Sequence, residues 1–229
     1  MCEMQRYAVY FAPRPGAFAR LAAEWLGRDA ETGTAHAQPE LAGWSGPVAR
    51  LTAEAARYGF HGTLRAPFRP ADGLSRRSIA ARSEALAARL APVRCDGLRL
   101  ETLSGFLALT PKGDLAALQA LAAAVVEGTD DLRAPLTEAD IARRNPDRLT
   151  GRQIALLRRW GYPWVMEEFR FHLTLTGRLS PTEAEALAPL LQVRFAPVLP
   201  RPLLIEDLCL FGEDATGRFR LLHRYALRG

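Results

Sequence analysis

The chain has 229 residues, 48% of them hydrophobic and 24% charged, so it can form one large globular domain or two small lobes with a packed core. Thirty Lys and Arg residues against 25 Asp and Glu residues give a formal net charge of +5, which favours anionic partners such as phosphate esters or nucleic acid. The apolar N-terminal stretch contains Arg6, and the Ala-rich run 115–126 is short and interrupted, so we expect neither a signal peptide nor a membrane span.

Hydrophobic periodicity and turn residues predict strands alternating with helices along the chain. Strands are predicted at residues 6–12, 58–68, 93–102, 105–110, 169–177, 203–211 and 218–226. Helices are predicted at residues 17–26, 48–57, 74–90, 115–127, 151–160 and 181–191. The segments 28–47 and 132–148 have weak periodicity, and both are candidates to cover a binding cleft.

Local signals support several of these boundaries. The Ser-Gly pair at 104–105 is typical of a tight hairpin. Thr150 with Gln153, and Ser180 with Glu183, have the spacing of capping boxes at helix N-termini. These signals predict a chain that is folded throughout.

The two halves of the chain share an order of elements. Each has a strand with a His-x-Thr motif, then a helix, a long strand, a turn and another strand, within residues 58–110 and 169–226. We therefore predict an α+β fold in which residues 1–229 form a single domain of two pseudo-symmetric lobes. Each lobe is expected to be an antiparallel sheet with helices on its outer face, with a cleft between the lobes.

The His-x-Thr motifs are His61-Gly62-Thr63 and His172-Leu173-Thr174. Residues i and i+2 of a strand point to the same face, so each imidazole has a hydroxyl beside it. Two imidazoles opposed across a phosphodiester can act as general base and general acid, and the hydroxyls can donate to the non-bridging oxygens. This chemistry requires no metal and no cofactor.

Other polar residues near the motifs are candidates to bind substrate. Arg65 and Arg170 share the faces of His61 and His172 if the strand alternation continues, and a guanidinium there could bind the reacting phosphate or a second anionic group. Tyr7 or Tyr10 on the first strand could also contact substrate; we single out Tyr7, although the strand register that decides between them is open.

Two alternatives to catalysis by the histidine pair remain. A strand histidine often has only a structural role, and paired histidines can bind metal. The sequence contains neither HExxH nor a cysteine pair, and zinc takes three or four protein ligands where the motifs offer two histidines, so we expect no metal site.

The motifs and their surroundings resemble the 2H phosphoesterase superfamily. The stretches RYAVYFAP, YGFHGTLRAPF, WGYP and FRFHLTLTGRL are similar to its branch of putative phosphonate metabolism proteins, an uncharacterised family often encoded in phosphonate-utilisation operons. The resemblance implies His61 and His172 as the catalytic pair and Thr63 and Thr174 as phosphate ligands. The resemblance does not imply a substrate. Because members of the superfamily act on cyclic phosphates and on RNA ends, our hypothesis is hydrolysis of a small cyclic phosphate ester, of the 2′,3′-cyclic nucleotide or ribosyl cyclic phosphate type.

The sequence also bears on setting and partners. Cys2, Cys95 and Cys209 leave one cysteine unmatched, so a disulfide framework is not expected and a reducing, cytoplasmic location is. We expect a monomer that binds a small phosphate ester, with RNA ends as a second class of ligand. A non-catalytic nucleotide- or RNA-end-binding module of the same fold is the alternative.

Overall fold

A computed structural model describes residues 4–229, so the predictions that concern Cys2 lie outside the described residues. The strands are β1 Tyr7–Phe11, β2 Gly62–Phe68, β3 Val93–Cys95, β4 Gly97–Leu103, β5 Phe106–Lys112, β6 Leu173–Thr174, β7 Leu203–Ile205, β8 Asp207–Glu213 and β9 Phe219–Ala226. The α-helices are α1 Ala17–Leu26, α2 Val48–Tyr58, α3 Arg76–Ala87, α4 Ala116–Gly128, α5 Glu138–Ala142, α6 Gly151–Trp160 and α7 Pro181–Phe195.

Seven strands form one antiparallel sheet in the order β4-β5-β6-β2-β1-β8-β9, and β3 pairs with β7 in a separate two-stranded sheet. The main hydrophobic core lies on one face of the large sheet, where residues such as Val9, Leu64 and Leu173 pack against buried residues of α1–α4 and α7. The other face carries a smaller cluster that contains Tyr10 and Phe211. The second face is therefore the one left to form a binding site.

The predicted class, an antiparallel sheet with helices, is confirmed. The strands of the two predicted repeats interleave, because β4 and β5 of the first repeat join β6 of the second, and β6 in turn pairs with β2 of the first. The division into two lobes built around residues 58–110 and 169–226 stays a prediction.

Helix boundaries follow the local signals closely. The capping boxes are present at Thr150 with Gln153 and at Ser180 with Glu183. The hairpin at 104–105 joins β4 to β5, with positive φ at both turn residues. Among the described residues, no helix has both the length and the apolar composition needed to cross a membrane.

The predicted strand 169–177 is mostly wrong as regular structure, since only Leu173 and Thr174 are assigned to β6. Its backbone groups find other partners: the Trp25 indole donates to the Leu175 carbonyl at 2.7 Å, and the Gly177 amide donates to the Leu51 carbonyl at 2.7 Å. The alternation of faces nevertheless holds at the motif, with Leu173 buried and its two polar neighbours partly exposed.

Candidate active site

The two His-x-Thr motifs lie side by side at the centre of the large sheet. Gly62 of β2 pairs antiparallel with Leu173 of β6. This register places His61 opposite Thr174 and Thr63 opposite His172, all four on the face away from the main core. The predicted convergence of the two motifs thus takes the form of two cross-strand His/Thr pairs on neighbouring strands.

The two imidazoles make matching hydrogen bonds. His61 Nδ1 lies 2.8 Å from the Gly59 carbonyl oxygen, and His172 Nδ1 lies 2.8 Å from the Arg170 carbonyl oxygen. A carbonyl only accepts, so each Nδ1 carries the proton and each neutral ring has its lone pair on Nε2. No described residue is hydrogen-bonded to either Nε2, which leaves both nitrogens able to exchange a proton with a ligand.

Burial makes both imidazoles weaker bases than usual. Desolvation lowers the pKa of His61 to about 4, against the hydrogen bond to Gly59, and the nearby His172 lowers it further. Desolvation also lowers the pKa of His172, opposed by the hydrogen bond to the Arg170 carbonyl. Without a ligand, both rings are therefore neutral at pH 7.

Of the two tyrosines on β1, Tyr10 rather than Tyr7 lies at the site. The Tyr10 ring stacks on His61 with centroids 3.9 Å apart and planes 27° apart. Tyr7 is 3% exposed and belongs to the main core on the opposite face, so the prediction that it contacts substrate in the cleft is wrong. The cause is the alternation along β1, which sends residues three positions apart to opposite faces.

The two candidate arginines, Arg65 and Arg170, lie in different surroundings. Arg65 is 2% exposed and lines the cavity beside the motifs, where its Nη2 lies 3.3 Å from Asp130 Oδ1. The Arg170 side chain is exposed and lines neither cavity described below, so its prediction as a cleft residue is not supported by its position. Residue 170 lies before β6 begins, so strand alternation does not direct its side chain to the face that carries the His/Thr pairs.

A cavity of about 510 Å³ opens over this face and is lined by His61, Thr63 and Thr174. A second cavity, of about 410 Å³, shares His61 and Thr174 with it. His172 lines neither cavity; it is the cross-strand neighbour of Thr63, with its ring 5.5 Å from that of Phe106. The larger volume suits a ligand of nucleotide or sugar phosphate size.

The larger cavity is strongly basic. Its lining includes seven arginines and one carboxylate, that of Asp140. The arginines are Arg6, Arg57, Arg65, Arg69, Arg133, Arg143 and Arg144. Because focused positive charge raises the local concentration of anions, the cavity is suited to phosphate-bearing ligands.

The segment 132–148, predicted as a candidate cover of the cleft, supplies Arg133, Arg143 and Arg144 to the lining, although these residues were not predicted individually. Trp160 at the end of α6 and Tyr162 just after it also line the cavity. The unusual density of arginine in 132–148 was the available signal, but a segment with weak periodicity gives no direction for its side chains. The other candidate cover, 28–47, contributes no residue to this cavity.

Within residues 4–229, no group of three or more His, Cys, Asp and Glu side chains is arranged to hold a metal ion. Cys95 and Cys209 are both buried free thiols. Burial raises the pKa of Cys209 to about 11, so this thiol is a poor nucleophile at neutral pH.

Two His-x-Thr motifs adjacent at the centre of an antiparallel sheet, beside a cavity rich in arginine, form a site suited to phosphate esters. The family described as "Protein of unknown function (DUF1045)" matches residues 63–220, and the chain belongs to this family.

Two curated relatives carry the name "Ribose 1,5-bisphosphate phosphokinase PhnN". The protein of Janthinobacterium sp. (strain Marseille) is 37% identical over 221 residues, which cover 94% of this chain and 49% of that protein. The protein of Laribacter hongkongensis (strain HLHK9) is 41% identical over 222 residues, which cover 94% of this chain and 50% of that protein. This chain thus spans about half the length of the curated relatives that it matches.

Among solved structures, that of E. coli LigT complexed with 3′-AMP aligns over 99% of this chain and 100% of the LigT chain, with 15% sequence identity and a TM-score of 0.47.

Proposed function

We propose that this protein is a metal-independent phosphodiesterase that hydrolyses a small cyclic phosphate ester, of the 2′,3′-cyclic nucleotide or ribosyl cyclic phosphate type. The observation that carries the proposal is the pair of cross-strand His/Thr neighbours, with Nδ1 of each imidazole tied to a carbonyl and Nε2 left for the ligand. A site that only bound phosphate would have no need of two titrating rings held in the same way.

In the proposed reaction, one Nε2 accepts a proton from water as the water oxygen bonds to phosphorus. The other imidazole, protonated, gives its proton to the leaving oxygen as the P–O bond breaks, so a cyclic diester becomes a phosphate monoester. Thr63 and Thr174 donate hydrogen bonds to the non-bridging oxygens, where negative charge accumulates. The arginines of the cavity hold the substrate through its charge.

A place in phosphonate catabolism is part of the same proposal, and it comes from the resemblance of the sequence motifs. The relatives' shared name refers to a ribose bisphosphate, which supports a sugar phosphate as part of the substrate. The phosphokinase activity in the relatives' name is not part of the proposal. This chain aligns with only about half of each relative, and its sequence contains no G-x-x-x-x-G-K-[ST] motif for binding a nucleotide phosphate.

The test is hydrolysis of a panel of cyclic phosphates by the wild-type protein, followed by phosphorus NMR in EDTA and again with added divalent metal. The panel contains 2′,3′-cyclic nucleotides, ribosyl 1,2-cyclic phosphate and short RNA with a cyclic end. We expect conversion of at least one small ester to a monoester in EDTA. Turnover that requires metal would overturn the metal-independent mechanism, and binding without turnover would favour a non-catalytic nucleotide- or RNA-end-binding module.

A further inference from the structure

Arg65, next to the proposed active site, has one guanidinium nitrogen without a hydrogen-bond partner among the described residues. The residue is 2% exposed and lines the larger cavity, yet its Nη1 has no hydrogen-bond partner among residues 4–229. A buried guanidinium without full pairing is costly, because desolvation penalises its charge. Such a group is retained most readily where a ligand completes its hydrogen bonds.

The carboxylate near Arg65 is already shared. Asp130 accepts from Arg65 Nη2 at 3.3 Å, from Arg133 Nε at 2.8 Å and from Arg159 Nη1 at 2.9 Å. One negative charge thus faces three guanidinium groups, two of which, Arg65 and Arg133, line the cavity. The cluster has capacity for a further anion.

More positive charge lies around the same cavity. Arg69 pairs with Asp140, which also binds Arg143. Arg144 lies 4.8 Å from the centre of the Tyr162 ring, and no described carboxylate forms an ion pair with it. Positive charge therefore exceeds negative charge around the cavity.

Arg65 is two residues beyond Thr63 on β2, roughly 7 Å along the strand. Its guanidinium extends further along β2, to 5.6 Å from the centre of the Phe68 ring and into contact with Asp130, so a second anionic group is the simplest ligand for this end of the cavity. We infer that the substrate carries a second anionic group, a phosphate monoester, which binds at the end of the cavity lined by Arg65 and Arg133 while the cyclic phosphate lies at the His/Thr pairs. This inference rests on the proposed phosphodiesterase function and narrows its substrate class.

The test uses two matched pairs of substrates, adenosine 2′,3′-cyclic phosphate and ribosyl 1,2-cyclic phosphate, each with and without a phosphate at the 5 position. The quantity measured is the ratio of kcat/KM within a pair, which is independent of the fraction of protein that is folded. Because hydrogen bonds between charged groups are strong, we expect wild type to prefer the phosphorylated member by roughly tenfold or more in at least one pair.

Arg65→Gln should reduce that ratio towards one. If Arg65→Gln does not fold, Arg133→Gln should reduce the same ratio. Arg159→Gln is the matched control, because Arg159 contacts the same Asp130 but does not line the cavity, and it should keep the wild-type ratio. Equal turnover of the two members in both pairs by wild type would overturn this inference and leave the proposed phosphodiesterase function intact. Turnover of none of the four substrates would overturn both.

Discussion

At the scale of single residues, the site is defined by how its imidazoles are held. His61 and His172 each donate from Nδ1 to the carbonyl two residues earlier, at the same distance of 2.8 Å. The contact is local, so any chain that keeps the backbone at Gly59 and Arg170 keeps the tautomer. The His-x-Thr motif can be found from the sequence. The hydrogen bond from Nδ1 depends on the geometry of the backbone before the motif, so it could not be predicted from the sequence.

The lowered pKa values of both histidines determine the expected pH dependence. The general acid must be protonated, and burial makes protonation of either ring harder in the free protein. We therefore expect a bell-shaped profile of kcat/KM whose optimum lies below about pH 6.5, the usual histidine value, with both limbs belonging to the coupled pair. The measurement is kcat/KM across the range from about pH 4 to 9.

The profile of kcat provides the control, because a bound phosphate favours the protonated imidazole and should move the optimum to higher pH. An optimum of kcat/KM above about pH 7.5, or a flat profile, would contradict the assignment of the limbs to buried histidines.

At the scale of elements, sequence periodicity located most helices and strands but not their partners. The predicted strands 93–102 and 203–211 each divide, at Asp96 and Glu206. The first part of each pairs with the other in the two-stranded sheet, and the second part joins the large sheet. Each break falls at a polar or glycine-containing pair, Asp96-Gly97 and Glu206-Asp207, but hydrophobicity does not show which strand each part pairs with.

The middle residue of the first motif has a packing role that is open to test. A Cβ on Gly62 would lie 2.3 Å from Cζ of the Phe171 ring, which packs over the glycine. We expect Gly62→Ala to lower the free energy of unfolding by roughly 1–3 kcal/mol, because Phe171 must move. Urea denaturation measures this, and a second substitution, Phe171→Leu, should recover part of the loss.

Gly151→Ala is the matched control for that change. Gly151 begins α6, and no atom lies within 4 Å of the position that its Cβ would take. Alanine there should be neutral or stabilise by up to about 1 kcal/mol, because it favours helix. Equal effects of the two alanines on unfolding would show that contact with Phe171 is not what selects glycine in the motif.

At the scale of the whole molecule, the two faces of the large sheet have different roles, one in stability and the other in the proposed chemistry. Its helix-covered face carries most of the apolar core, while the opposite face carries the His/Thr pairs and, beside them, a cavity with seven arginines. The net charge of +5 indicated anionic ligands, but composition could not show that arginines from β2, from 132–148 and from the N-terminal strand region gather around one cavity.

This concentration of charge predicts a dependence on salt. Raising NaCl should lower kcat/KM for an anionic substrate by several-fold up to about tenfold, since salt screens the attraction between the cavity and the substrate. Arg144→Gln should flatten the dependence, whereas Arg99→Gln, at an exposed pair with Glu101 outside the cavity, should not. The same slope in all three proteins would argue against capture of substrate by the charge of the cavity.

The most direct test of the two-histidine mechanism is the single-turnover rate of hydrolysis in EDTA, on the best ester of the panel, for wild type, His61→Gln, His172→Gln and the double variant. Each single substitution should lower the rate by roughly 10²–10⁴-fold, and the double variant should fall little further, because the two imidazoles act as one unit. Folded single variants that keep a rate within about threefold of wild type would contradict the mechanism.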